Sequence, residues 1–166
     1  MYINDEIWAL ILKLDSSDTN RQEMLWDEIK KQEIDIPFYF NKAYDYFKKW
    51  QGRVFLVFHC IKYARQNEYA FQLGVKGLSD KATLVRYRAT CILAYSLRSD
   101  AIPHLKNNLN HIDKETAKDC ERAIRAINNK NHHIFMEGRG IWIVNPEDEK
   151  NKDASKPLGF FSKLFK

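Results

Sequence analysis

Apolar residues recur along the first 130 positions at helical spacing, in blocks separated by short polar stretches. Residues 2–14 place Ile3, Ile7, Leu10, Ile11 and Leu14 on one face of a first helix. The run Asp15-Ser16-Ser17-Asp18 is a loop ending in a helix N-cap at Ser17 or Asp18. A second helix follows to about Gln32, with Met24, Leu25 and Ile29 inward. Asp35 caps the next, with Pro37 in its first turn, and the pattern carries it to about Trp50. Gly52 interrupts the periodicity. A helix over about 53–65 turns Val54, Val57, Phe58 and Ile61 inward, and another over about 67–78 uses Phe71, Gly74, Val75 and Leu78. After the Ser79-Asp80 turn come a helix at about 82–97, a shorter one from Ser99-Asp100 to about Leu109, and a last one at about 114–128. Alternating long and short helices joined by tight polar turns predict an array of antiparallel hairpins.

A repeat underlies the array. Cys60, Cys91 and Cys120 are 31 and 29 residues apart. Val54 and Val85, Ile61 and Ile92, Ala70 and Ala101, and Leu78 and Leu109 are each 31 apart. A period of this size marks a stacked helical repeat, which serves as a binding surface more often than as a seat of chemistry. Over Asp80 to Ile127 the chain resembles a HEAT-type repeat of the short, bacterial, lyase-like variety. The resemblance is carried by Asp80, Leu84-Val85-Arg86, Ala89, Leu93, Asp100-Ala101-Ile102-Pro103, Leu105, Leu109, Asp113, Ala117, Ala123 and Ile127. It is weaker over 22–79, where aromatics replace the usual Leu and Ala. It implies an all-α fold, a right-handed α-solenoid of three to four HEAT-like helical hairpins, and a protein-binding role.

Beyond Asn131 the pattern changes. His133-Ile134-Phe135-Met136 and Gly140-Ile141-Trp142-Ile143-Val144 are β-prone runs joined by Glu137-Gly138-Arg139. They predict a small C-terminal β-hairpin at about 133–144 that packs on the last helix and caps the stack. An exposed edge recruiting a partner strand is the rival use. The expected organisation is a solenoid over 1–131, a hairpin cap over 132–145, and a charged linker with a short amphipathic tail over 146–166. The tail places Phe160, Phe161, Leu164 and Phe165 beside Lys163 and Lys166. It suits folding back, docking in another protein's groove, or weak contact with an anionic membrane.

Composition narrows the function. The chain has 166 residues, 45% hydrophobic and 13% aromatic, enough to fold without metals or disulfides. No apolar run approaches the roughly 20 residues needed to span a bilayer, and Met-Tyr-Ile-Asn-Asp-Glu at the start lacks signal-peptide character, so a cytoplasmic location is expected. Three cysteines inside apolar helical patterns read as reduced core thiols. There is no C-x-x-C pair, no histidine–cysteine ligand spacing, no Gly-rich phosphate loop, no G-x-S-x-G and no H-E-x-x-H. No metal, cofactor or catalytic residue is therefore expected, and the chain does not read as an enzyme. His59 reads as a core residue, and His132-His133 as ordinary surface. The net charge of +5 is uneven: residues 1–45 carry 10 acidic and 5 basic residues, whereas residues 81–166 carry 16 basic and 10 acidic. Such polarity steers a charged partner.

Two surfaces are candidates for partner contact. Between Phe38 and Trp50 lie seven aromatics. Ile36, Phe40, Ala43, Phe47 and Trp50 form a core face, while Tyr39, Lys42, Tyr46 and Lys49 form a second stripe. Either the N-terminal helix covers that stripe or its tyrosines face solvent, where Tyr beside Lys suits recognition. The second helices of successive hairpins would line an inner surface with Asn41, Asp45, Gln72, Lys76, His104 and Asn107. A rival basic face would use Arg86, Arg88, Arg98, Arg122 and Arg125 on nucleic acid, although Asp100, Asp113, Glu115, Asp119 and Glu121 are interleaved with them. The functional expectation is a non-enzymatic protein-binding scaffold. By analogy of fold it resembles bacterial immunity (antitoxin) or adaptor proteins that capture a toxin or enzyme and occlude its active site. The alternative is a HEAT-like nucleic-acid-binding protein.

Overall fold

The computed structural model describes residues 3–138 and 142–149. The chain runs through α1 (Asp5–Leu12), α2 (Thr19–Ile29), α3 (Ile36–Ala43), α4 (Trp50–Cys60), α5 (Glu68–Gly77), α6 (Thr83–Ser96), α7 (Ala101–Lys106) and α8 (Lys114–Asn128). Among the described residues, 3-10 turns follow at Tyr44–Tyr46, Ile61–Tyr63 and His132–Met136, with a further 3-10 stretch over 146–149. The described residues are all-helical, with no strand. None of their helices is long and apolar enough to cross a membrane.

Five of the eight described helix starts carry a side-chain cap legible in the sequence. Asp18, Asp35 and Asp113 each accept a backbone N–H of the first turn, from Arg21, Phe38 and Glu115 respectively. Asn4 and Asn67 do the same for α1 and α5. These bonds satisfy amides that a helix leaves unpaired at its start.

α4, α6 and α8 pack in succession, with α3 and α5 paired beside them and α1 covering α2 and α3. α6 is the centre: it touches α4, α5 and α8, and Val85, Ala89, Ile92, Leu93, Ala94 and Tyr95 are all fully buried. Apolar or small residues on every side are what a helix enclosed by neighbours requires. The α5–α6 crossing is close because Gly74 and Gly77 face it. A Cβ on Gly74 would lie 2.7 Å from Ile92 Cγ2, and one on Gly77 2.8 Å from the Cβ of Ala89. All three cysteines are reduced and buried. Burial pushes the Cys91 thiol up to about 12 and Cys120 to about 11, so both behave as apolar filler.

One polar contact recurs between layers. Arg53 and Arg86 are each the fourth residue of their helix, 33 positions apart. Arg53 Nη1 donates to the carbonyls of Phe47 and Lys48, six and five residues earlier. Arg86 Nη1 donates to Asp80 and Lys81, again six and five residues earlier. Each guanidinium also reaches an aspartate 27 residues ahead: Asp80 for Arg53 and Asp113 for Arg86. Each arginine thus ties its own connection to the next one.

The structure departs from the pattern in three places. The third helix stops at Ala43 instead of reaching Trp50, because Asp15 captures the Lys48 and Lys49 amides at 3.0 and 2.9 Å. Those amides would otherwise have continued the helical ladder. The first arm of the expected β-hairpin is a 3-10 turn: Asn131 accepts the His133 amide, and Phe135 is fully buried against Tyr87 and Trp142. Tertiary packing overrides the β-propensity of that run. This turn does rest on α8 and α6. Residues 139–141, within the expected hairpin, and the expected linker and tail from 150 to 166 lie outside the described residues. Lastly, Met24, Trp50 and Phe58 are exposed at 75%, 45% and 45% instead of facing inward. Trp26, Phe55 and Leu56 take the inward positions.

Candidate binding surface and cationic pocket

The connection from α3 to α4 is held from two sides. Asp15 accepts its amides, and Arg53 donates to its carbonyls at Phe47 and Lys48. The backbone is thereby fixed while Tyr46, Lys48, Lys49 and Trp50 stand exposed. Tyr46 is 66% exposed and meets the ring edge of Trp8, with centroids 5.6 Å apart.

Beside this connection lies a pocket of about 370 Å³. Its wall includes Lys48 and Arg53 from the α3–α4 region, Lys76 of α5, and Ser79 and Lys81 of the α5–α6 turn. At its base, Asp80 accepts from Tyr44 Oη at 2.5 Å, from Arg53 Nε and Nη2 at 2.6 and 3.0 Å, and from the Ala82 amide at 2.8 Å. Burial works to raise the Asp80 carboxyl, but its bonds to Arg53, Tyr44 and the amide outweigh that and hold it below the usual carboxylate range. Burial, reinforced by the bond to Asp80, raises the Tyr44 hydroxyl well above its ordinary value. Tyr44 therefore stays a neutral donor and Asp80 a charged acceptor.

The predicted contact residues divide. Lys42, Tyr46 and Lys49 are exposed, but Tyr39 is buried, its hydroxyl accepting the Asn4 amide at 3.0 Å. The start of the chain thus covers one end of the stripe and leaves the other open. Asp45 and Lys76, 31 residues apart, form an ion pair at 2.8 Å, so here the sequence period is a physical contact. Lys76 also donates to the Asn41 carbonyl. The Asn41 side chain is buried and donates to Tyr69 O, which removes it from the surface. Gln72 is exposed and donates to Glu68; His104 and Asn107 are exposed on and just beyond α7.

The basic face does not assemble. Arg86 is 5% exposed and occupied by Asp113, Thr116 and Thr83, so it cannot reach a phosphate. Arg88 lies over the Phe58 and Tyr87 rings, and its Nε is buried without a hydrogen-bond partner among the described residues. Arg98 is clamped by Glu68 and Asp100 above the Phe71 ring. Arg122 and Arg125 pair with Asp119 and Glu137. Three of the interleaved acids, Asp113, Asp100 and Asp119, are the partners of Arg86, Arg98 and Arg122.

Neither His132 nor His133 is at the surface, as both are 3% exposed. His132 bridges Arg65 Nη2 through Nδ1 at 2.9 Å and the Trp142 carbonyl through Nε2 at 3.1 Å. Nearby, the fully buried Asp148 accepts from Tyr95 Oη at 2.9 Å and from the Val144 and Asn145 amides. Arg65 reaches it at 3.3 Å. This cluster ties residues 142–149 to α6. His59 is wedged among Trp26, Phe55 and Phe58, and burial lowers its pKa to about 4.

Sequence reasoning missed Tyr44, Lys48, Arg53, Ser79 and Lys81. A signal existed: Arg53 and Arg86, and Asp80 and Asp113, are 33 apart, but the cysteine register of 31 hides that offset. No protein-family model, curated protein or solved structure matches the chain.

Proposed function

We propose that this protein is a non-enzymatic scaffold that captures a partner protein. The supporting observation is the α3–α4 connection, whose backbone is fixed by Asp15 and Arg53 while Tyr46 and Trp50 project into solvent. Exposed aromatics on a rigid backbone supply contact area at little entropic cost on binding. Lys42, Lys48 and Lys49 surround them and favour an acidic partner surface.

The helical pairs are read here as HEAT-like hairpins in a right-handed α-solenoid. The recurrent arginine–aspartate tie and the Asp45–Lys76 contact at the repeat distance support that reading. An immunity or adaptor role, in which the captured enzyme or toxin has its active site covered, is the form of capture we favour. It acts in the cytoplasm of a bacterial cell in this proposal. The rival nucleic-acid role is disfavoured by the engagement of the arginines it needs.

The test is affinity capture from nuclease-treated lysate with the parent protein and a Tyr46→Ala/Trp50→Ala variant that melts at the same temperature. A stoichiometric protein held by the parent and lost from the variant is expected. Equal recovery on both, or recovery of nucleic acid alone when nuclease is omitted, would overturn the proposal.

A further inference from the structure

The pocket beside the α3–α4 connection has a charge and a donor set that select a ligand class. Its cations are not equivalent. Arg53 spends Nε and Nη2 on Asp80 and Nη1 on two carbonyls. Lys76 donates to Asp45 and to the Asn41 carbonyl. Lys48 and Lys81 are exposed ammoniums, one from each connection that borders the pocket, and the exposed Ser79 adds a hydroxyl. Four cations, less the carboxylates of Asp80 and Asp45, leave the site with a net charge of +2. Lys81 leads directly into α6, whose N-cap Ala82 offers no side-chain acceptor, so the positive end of that helix adds to the field.

A planar carboxylate is recognised best by the two parallel donors of an arginine fork. The fork of Arg53 is already filled by Asp80. What remains is point-charge ammoniums and a hydroxyl, a set that suits the several acceptor oxygens of a tetrahedral anion. A phosphate monoester carries about −1.5 to −2 charge at neutral pH. That matches the pocket, whereas a phosphodiester carries half as much. We propose that this pocket binds a phosphate monoester dianion. The inference goes beyond the capture reading and stands whether or not a protein partner is found.

The experiment is a titration of the full chain followed by amide chemical shifts. The probes are O-phosphoserine as monoester, glycerophosphocholine as diester and a short single-stranded DNA oligomer. Saturable shifts of the Lys48, Ser79 and Lys81 amides with phosphoserine are expected. Weaker response to the diester is expected, as is a loss of about tenfold in affinity in Lys48→Ala/Lys81→Ala, the effect of removing two exposed ion pairs. Because both lysines are exposed and free of structural bonds in the described contacts, the variant should melt like the parent. The source of the ester is separated by comparing glycerol phosphate with a phosphoserine inside a Gly-Ser peptide. Tighter binding of the peptide identifies a phosphorylated side chain and equal binding a small ester, and either supports the proposal. Absence of saturable shifts, unchanged affinity in the double variant, or preference for the diester or the DNA oligomer would overturn it.

Discussion

Asp80→Ala tests whether the arginine–aspartate tie holds the layers together. The Asp80 side chain is 5% exposed and that of Arg53 is 15% exposed, so neither charge is well solvated. Removing the carboxylate takes the partner from the Arg53 fork, the acceptor from Tyr44 Oη and the bond from the Ala82 amide. Breaking a buried pair from one side leaves the other charge stranded and costs about 3–5 kcal/mol. Against a total stability of about 5–15 kcal/mol, that is a large fraction. Urea unfolding followed by far-UV circular dichroism measures it. Arg53→Met in the Asp80→Ala background removes the stranded charge, so the two losses should fall short of additivity by about 2 kcal/mol. The contribution also has a pH sign. Asp80 is held below the usual carboxylate range, so its stabilisation is present above the ordinary value near 4 and fades as pH falls through the lowered value. The parent and Asp80→Ala curves should therefore converge in acid. A loss below about 1 kcal/mol, the range of exposed ion pairs, would refute the reasoning.

Other outcomes follow from burial and packing. Gly74→Ala gains about 1 kcal/mol of helix propensity but drives a methyl to 2.7 Å from Ile92 Cγ2; overpacking costs about 1–3 kcal/mol, so thermal melting should show a net loss. Cys91→Ser places a hydroxyl in a site 2% exposed and should cost roughly 1–3 kcal/mol by the same assay. The thiols of Cys60, Cys91 and Cys120 are all raised by burial, so Ellman's reagent should label them only on unfolding. Burial and the neighbouring His133 hold His132 at about 4, below the ordinary histidine value near 6.5. Its stabilising neutral form is complete above about 6.5 and is lost as pH falls toward 4, which costs about 1–2 kcal/mol by pH 5. The urea midpoint should fall over that interval, and less steeply in His132→Gln.

Helices were legible where local chemistry decided them. The last helix, expected over 114–128, is observed at Lys114–Asn128 because Asp113 caps it and its apolar spacing is regular. Asp35 and Pro37 likewise set the start of α3. Its end was not legible, since Asp15, more than thirty residues away in sequence, competes for the Lys48 and Lys49 amides. Tyr39 and Tyr46 belong to one stripe, yet only the first is covered, because the chain at Asn4 reaches it. The β-prone run at 133–136 was misjudged for the same reason: Phe135 finds its burial on α6 and α8, not across a hairpin. Charges were the least legible. The sequence shows Arg86 and Asp113 as separate surface residues, whereas the packing of α6 on α8 makes them one ion pair with the arginine buried and the aspartate half-covered.

Arg53 stands between the core and both proposed sites. Its guanidinium holds the carbonyls under Lys48 and, through Asp80, the turn that carries Ser79 and Lys81. Loss of Arg53 should therefore disturb the aromatic connection and the pocket together, and a binding defect in that variant would not tell them apart. Tyr46 and Trp50 on one side, and Lys48 and Lys81 on the other, project outward from backbone that other residues secure. If protein capture follows the aromatics and phosphate binding follows the lysines, with stability unchanged in both pairs, the sites are separable. If both pairs of substitutions abolish capture, the pocket and the connection form one recognition surface, and loss of capture after phosphatase treatment of the partner would place the phosphate on it.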